Sequence, residues 1–199
     1  MSGKRLALAW AAVAAISTPA WGQGAEASVS AGSSTFPNRN LGQLGAQGAV
    51  SEFLKLENGV RIAGRFTINN YRFLGHEFGY GYDHSGLVFG SQGKVGMAVH
   101  QGFYDFLAYA LPEGSAFRPF VCGGVGFSTF FPPGTSVSYG NGVTKFGYNY
   151  GAGVKVKVSP LFGIRLDVRD YVTGKPFDLP EARGLLHNLE VSAGFSVLF

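Results

Sequence analysis

Apolar residues recur at every second position through segments of about ten residues, and this alternation is what most narrows the folds open to the chain. A period of two puts successive side chains on opposite faces of an extended strand, whereas a helix would need a period near 3.6. In 187–199, Leu189, Val191, Ala193, Phe195, Val197 and Phe199 share one face, and Asn188, Glu190, Ser192, Gly194 and Ser196 share the other. Segment 161–172 repeats the pattern with Phe162, Ile164, Leu166 and Val168 against Arg165, Asp167 and Arg169. The alternation predicts eight strands, near 26–35, 59–69, 72–83, 94–110, 116–130, 144–158, 161–172 and 187–199. The apolar run from Phe103 to Leu111 blurs the fourth of these.

The predicted connections alternate in length. Residues 70–71, 112–115 and 159–160 are tight turns, and residues 36–58, 84–93, 131–143 and 173–186 are longer loops. Short turns at one end and long loops at the other are the habit of outer-membrane barrels, in which the short turns face the periplasm. The 31 glycines, 18 phenylalanines and 9 tyrosines favour sheet and turn over helix.

Alternation alone does not separate a membrane barrel from a soluble, lipocalin-like barrel with its polar face outward, but residue size does. Eight strands enclose a lumen only just wide enough for side chains. In 144–158, Asn149, Gly151, Gly153, Lys155 and Lys157 oppose Tyr148, Tyr150, Ala152, Val154 and Val156. The face of Gly, Ser and a few long charged residues suits a narrow interior, and the face of Val, Leu, Phe and Tyr suits lipid. The expected fold is all-β: an eight-stranded antiparallel transmembrane β-barrel in an up-and-down meander. Tyr80, Tyr82, Phe127, Phe146, Tyr148 and Tyr171 are expected to form aromatic girdles at the membrane interfaces.

The N-terminus predicts export. Lys4 and Arg5 precede an apolar run from Leu6 to Ile16, too short to span a bilayer, and small residues Ala20 and Gly22 suit cleavage before Gln23. The expected organisation is a signal peptide over 1–22 and one barrel domain over 23–199. Without Lys4 and Arg5 the mature chain has 14 basic against 12 acidic residues, a balance that offers no basic patch for nucleic acid. Cys122 is the only cysteine, so no internal disulfide forms, and its position predicts a buried, inert thiol.

Several stretches resemble the OmpA-type family of small outer-membrane barrels. Gly64-Arg65-Phe66-Thr67-Ile68-Asn69 and Gly75-His76-Glu77-Phe78-Gly79-Tyr80 are similar to that family's second and third strands. Arg118-Pro119-Phe120-Val121-Cys122-Gly123-Gly124-Val125-Gly126 resembles its fifth, and Gly151–Lys155 with Ile164–Tyr171 its sixth and seventh. The resemblance implies a cell outer membrane of the Gram-negative type. It also implies Phe199 as the signal read by the barrel-insertion machinery, and membrane lipid and lipopolysaccharide as surroundings. The chain stops at the eighth strand, so the peptidoglycan-binding domain of the longer members is expected to be absent.

On this facing, Arg61, Arg65, Glu77, Arg118, Lys155, Lys157, Arg165, Asp167, Arg169 and Glu190 point into the lumen. Charges there must be partnered, which predicts a structural ion-pair network and a plugged, non-conducting interior. No catalytic, cofactor-binding or metal site is expected, and the protein is read as a monomeric, non-enzymatic envelope protein whose loops bind a partner. Two other readings stay open: a lipid-modifying enzyme of the lipid A deacylase kind, and a narrow pore for small molecules. For the enzyme, Asp83, His84 and Ser85 are the nearest approach to a triad, but adjacent strand residues point to opposite faces, so a solvated loop is expected there. His76 and His100 are expected in the barrel wall, with no ligand spacing around them. The Gly123–Gly126 run lacks the strand-to-helix setting and the lysine of a phosphate loop.

Overall fold

The computed structural model describes residues 24–44, 52–90, 93–132, 142–180 and 182–199. The leader predicted over 1–22 lies outside them. Nine strands form one antiparallel sheet: β1 (Gly24–Thr35), β2 (Asn40–Leu44), β3 (Glu52–Tyr71), β4 (Leu74–Phe89), β5 (Gly93–Tyr109), β6 (Phe117–Phe131), β7 (Val143–Lys157), β8 (Phe162–Gly174) and β9 (Leu185–Leu198). Each strand from β3 to β9 pairs with the next in sequence, and β1 pairs with both β9 and β3, which closes a ring of eight. Closure runs the length of β1, from Gly24 opposite Asn69 to Ser34 opposite Gly59. No edge remains in the ring, so its ladder groups are paired without water, the condition for crossing lipid.

The five-residue strand β2 lies outside the ring and, among the described residues, pairs only with the start of β3, Gly42 opposite Leu54 and Gln43 opposite Phe53. It belongs to the first long connection, as does the outer part of β3. At the opposite end lie the tight turn at Arg72 and Phe73, the turns 110–116 and 158–161, and both ends of the described chain. Phe199 exchanges backbone hydrogen bonds with Ala25, which ties the last residue to the closing seam.

Facing follows the alternation. On β8, Arg165, Asp167, Arg169 and Tyr171 are buried, while Ile164, Leu166 and Val168 are about half exposed on the outer wall. On β9, Asn188, Glu190, Ser192 and Ser196 are buried, and Val191 and Phe195 look out. Glycine on the inner face makes room for large lumen side chains: a Cβ at Gly79 would enter the Phe103 ring, and one at Gly81 would meet the Arg61 guanidinium.

The structure corrects the reading in three places. First, β3 begins at Glu52 and β4 runs to Phe89, so much of the two loops expected at 36–58 and 84–93 is hairpin, with Phe89 opposite Gly93. A β-bulge between Glu57 and Val60 sets an extra residue in β3 and reverses the alternation, which is why the period appears to stop there. Beyond the bulge Leu54 and Leu56 turn inward. With Phe36, Leu41, Leu87, Met97, Val99, Phe130 and Leu186 they form a buried apolar cluster inside the long-loop end of the barrel. The burial of these side chains stabilises the extended hairpin.

Second, Asp83, His84 and Ser85 lie in β4 and not in a solvated loop. Asp83 and Ser85 point inward and are buried, and His84 points out. Third, Tyr171 is no girdle residue: it keeps the inward phase of Arg169, and the Arg61 guanidinium lies 4.5 Å over its ring. The other five predicted girdle aromatics, Tyr80, Tyr82, Phe127, Phe146 and Tyr148, are on the outer wall. Cys122 is buried beside Leu107, Tyr109 and Phe120.

Candidate functional site: the charged lumen

Among the described residues twelve charged side chains are buried: the cations Arg61, Arg65, Arg118, Lys155, Arg165 and Arg169, and the anions Glu26, Glu77, Asp83, Asp105, Asp167 and Glu190. Their formal charges cancel, so the interior is neutral as a whole although each group is desolvated. Such groups are tolerated where pairing and hydrogen bonds replace the lost water.

The centre is Glu77 on β4, fully buried. Arg165 Nη1 lies 3.0 Å from its Oε2, Arg169 Nη2 2.6 Å from its Oε1, and Arg65 Nε 3.7 Å from Oε1. The Thr67 hydroxyl donates to Oε2 at 2.7 Å. Arg165 and Arg169 come across the barrel from β8. That strand also supplies Asp167 between them, which accepts from Arg165 Nε at 2.8 Å and Nη2 at 2.9 Å. The same carboxylate accepts from Arg169 Nε at 3.1 Å and Nη2 at 2.9 Å. Arg169 Nη1 donates to Asp105 of β5 at 2.7 Å. Side chains from opposite walls therefore meet at the barrel axis.

Toward the long-loop end, Glu190 pairs with Arg65 and, at 2.9 Å, with Arg61 Nε, and accepts from the Tyr171 hydroxyl at 2.9 Å. Arg61 Nη1 donates to Asp83 at 2.9 Å, and Asn188 Nδ2 supplies a second donor to Asp83 at 2.9 Å. Gln101 extends this layer by accepting from Arg61 and donating to Ser128. Toward the short-turn end, Lys155 Nζ donates to Glu26 at 2.6 Å and to Thr67 at 3.2 Å, and Ser196 donates to the other Glu26 oxygen at 2.6 Å. Beyond the charged layers, at the long-loop end, sits the apolar cluster.

All eight side chains expected to form the network, Arg65, Glu77, Arg118, Lys155, Arg165, Asp167, Arg169 and Glu190, are buried in the lumen, as is Arg61. Arg118 differs from the rest, because it makes no ion pair among the described residues. Lys157 has the inward phase but lies exposed at the mouth, where the strand ends. Sequence reasoning missed Glu26, Asp83 and Asp105. Asp83 keeps the phase of Glu77 through Gly79 and Gly81, so counting on by twos would have found it.

On the outer wall His76 Nδ1 lies 2.6 Å from the Tyr104 hydroxyl and His100 hydrogen-bonds Tyr80, which places both histidines in the wall as expected. Among the described residues no cluster of three or more His, Cys, Asp or Glu side chains is arranged to hold a metal ion.

The ring of antiparallel strands is similar in fold to solved structures of low sequence identity. The chain is similar to the outer membrane protein OprG of Pseudomonas aeruginosa, with a TM-score of 0.63 and 14% identity over 87% of this chain and 95% of that one. It is similar to the N-terminal β-barrel domain of OprF from the same organism, with a TM-score of 0.52 and 13% identity over 87% and 97%. Neisserial surface protein A matches with a TM-score of 0.51 and 14% identity over 90% and 98%. At these identities the likeness speaks for the fold. No curated protein matches the sequence. The sequence itself matches the outer membrane protein beta-barrel domain family over residues 6–199, and the chain therefore belongs to that family of outer-membrane barrels.

Proposed function

We propose that the protein is a sealed outer-membrane scaffold: a monomeric, non-enzymatic barrel that conducts nothing and presents its outer connections to a binding partner. The observation that carries this reading is Glu77, which draws Arg165, Arg169 and Arg65 to the barrel axis. Side chains fill the cross-section there, and an ion moving past would have to displace paired charges that have no water to replace their partners. The apolar cluster at the outer end adds a second barrier. The outer end also carries β2 and the longer connections, where surface-binding residues are most often found.

Planar-bilayer recording tests the seal. The purified barrel is expected to give no single-channel steps at moderate voltage, and stable, reproducible steps would overturn the reading in favour of a pore.

The enzymatic alternative has one point of contact with the structure. On the outer wall His187 Nδ1 lies 2.7 Å from Asp170, which also accepts from the Tyr150 hydroxyl at 3.0 Å. An acid–base pair facing lipid is half of a hydrolase, but no serine or threonine hydroxyl is hydrogen-bonded to His187 among the described residues, and a nucleophile beside the base is what acyl transfer requires.

Phe199 is read as a recognition signal for the insertion machinery. Its exposed side chain and two backbone hydrogen bonds to Ala25 contribute little to the folded barrel. Deleting Phe199 is expected to lower the amount of barrel reaching the outer membrane severalfold, while the refolded variant keeps nearly the parent's urea midpoint. Normal membrane yield would remove this role.

A further inference from the structure

We propose that the short-turn mouth of the barrel is a phosphate-binding site centred on Arg118, independent of whether the lumen conducts. Arg61, Arg65, Arg165 and Arg169 each meet at least one carboxylate. Arg118 meets none among the described residues, although its side chain is more than nine-tenths buried. Its Nε makes only a long 3.5 Å bond to the Leu111 carbonyl, and its Nη2 has no hydrogen-bond partner. The guanidinium lies 3.7 Å over the Tyr109 ring, so its plane is held in place while donors remain unused. A guanidinium held this way is preorganised for an oxyanion, which takes two parallel N–H bonds from it.

The surroundings fit that ligand. Arg118 lines a cavity of about 250 Å³ at the mouth. This space is far larger than the ~30 Å³ share of one water and sits just below the usual range for drug-sized ligands. Lys155, opposite Arg118 in the β6–β7 register, and Lys157 line it too. Two side-chain carboxylates line it, and both are engaged: Glu26 by Lys155 and Ser196, and Glu113 by the Gly24 N–H at 3.0 Å. Asn69 lines the cavity as well, and its buried Oδ1 lacks a donor. The ligand therefore presents a hydroxyl or ammonium beside its oxyanion, as hydrogen phosphate and an ethanolamine phosphate headgroup both do.

Two sources share this chemistry. Free phosphate would enter from the aqueous side. A phospholipid of the adjoining leaflet would reach in from the rim, because the cavity extends to Ile164 and Phe199, which are exposed on the outer wall and offer an apolar seat for its chains.

The test uses the full-length mature barrel in phosphate-free detergent, with folding checked by heat-modifiable gel mobility. Native mass spectrometry measures retention of added phosphatidylethanolamine, and calorimetry measures inorganic phosphate without lipid. One ligand per barrel is expected. Its affinity should fall about tenfold or more in Arg118→Gln, fall less in Lys157→Gln, and stay unchanged in Lys94→Gln at the opposite end. Binding of both probes in competition identifies a free-phosphate site, and binding of lipid alone identifies a headgroup site. Binding of neither, or equal binding by the parent and Arg118→Gln, overturns the proposal. Should Arg118→Gln fail to fold, the exposed Lys157→Gln decides the matter: weakened binding supports the site, and unchanged binding contradicts it.

Discussion

Glu77→Ala is expected to be among the most damaging single truncations in the lumen, lowering the free energy of unfolding by about 3–5 kcal/mol. The magnitude follows from what is left behind. Glu77 is the shared partner of Arg165, Arg169 and Arg65 and accepts a hydrogen bond from Thr67. Its removal takes one negative charge from a balanced interior, and the three guanidiniums stay buried. Water has little room to enter, because Phe103, Tyr171 and Phe120 stand against Arg61, Arg65, Arg165 and Arg169. Glu77→Gln keeps the volume and one acceptor, so it should cost less than the alanine but still move the midpoint. Urea unfolding of the barrel in lipid vesicles measures both. A shift from Glu77→Ala no larger than that of the partly exposed Glu57→Ala would mean that the lumen is hydrated and the charges individually solvated.

The second large effect is at Asp167. Four guanidinium N–H groups from Arg165 and Arg169 converge on it. Asp167→Ala should cost about 3 kcal/mol, in the range for breaking a buried pair. Asp178 is 99% exposed and lies 3.7 Å from Lys145. A solvated pair of this sort contributes little, so Asp178→Ala should hardly move the urea midpoint. Because Glu77 and Asp167 share Arg165 and Arg169, the double variant should not show the sum of the two single costs. Small and equal effects of Asp167→Ala and Asp178→Ala would put the charged face in water.

The parts of the fold legible in the sequence are those where the two faces differ in kind. Along β8 and β9 every inward residue from Arg165 to Arg169 and from Asn188 to Ser192 is polar and every outward one apolar, so strand, facing and network members could all be read. On β5 both faces are greasy: Phe103, Leu107 and Tyr109 point in, and Phe106 and Ala108 point out. Asp105 is lost in that run, although it holds Arg169. The upper part of β3 was illegible for another reason, since one bulge residue reverses the phase and turns a strand into apparent noise. Tyr171 shows residue type overriding phase: a tyrosine near a strand end suggests the interface, but counting by twos from Arg165 places it inside. Pairing was the least legible property. Nothing in the sequence distinguishes Arg118, which lacks a carboxylate partner among the described residues, from Arg165, which has three, because most partners come from strands far apart in the chain.

The central claim is that the charged face lines the interior and the apolar face meets lipid, and a single-tryptophan measurement tests it directly. The only tryptophans are Trp10 and Trp21, both in the segment read as the leader, so the mature barrel offers a background without this fluorophore. Phe195→Trp places a probe on the outer wall, where Phe195 is half exposed, and Phe103→Trp places one in the lumen against Tyr171. Refolded into vesicles of brominated lipid, the Phe195→Trp barrel should be strongly quenched and the Phe103→Trp barrel should keep most of its emission. The reverse order, or equal and weak quenching at both positions, would contradict the account.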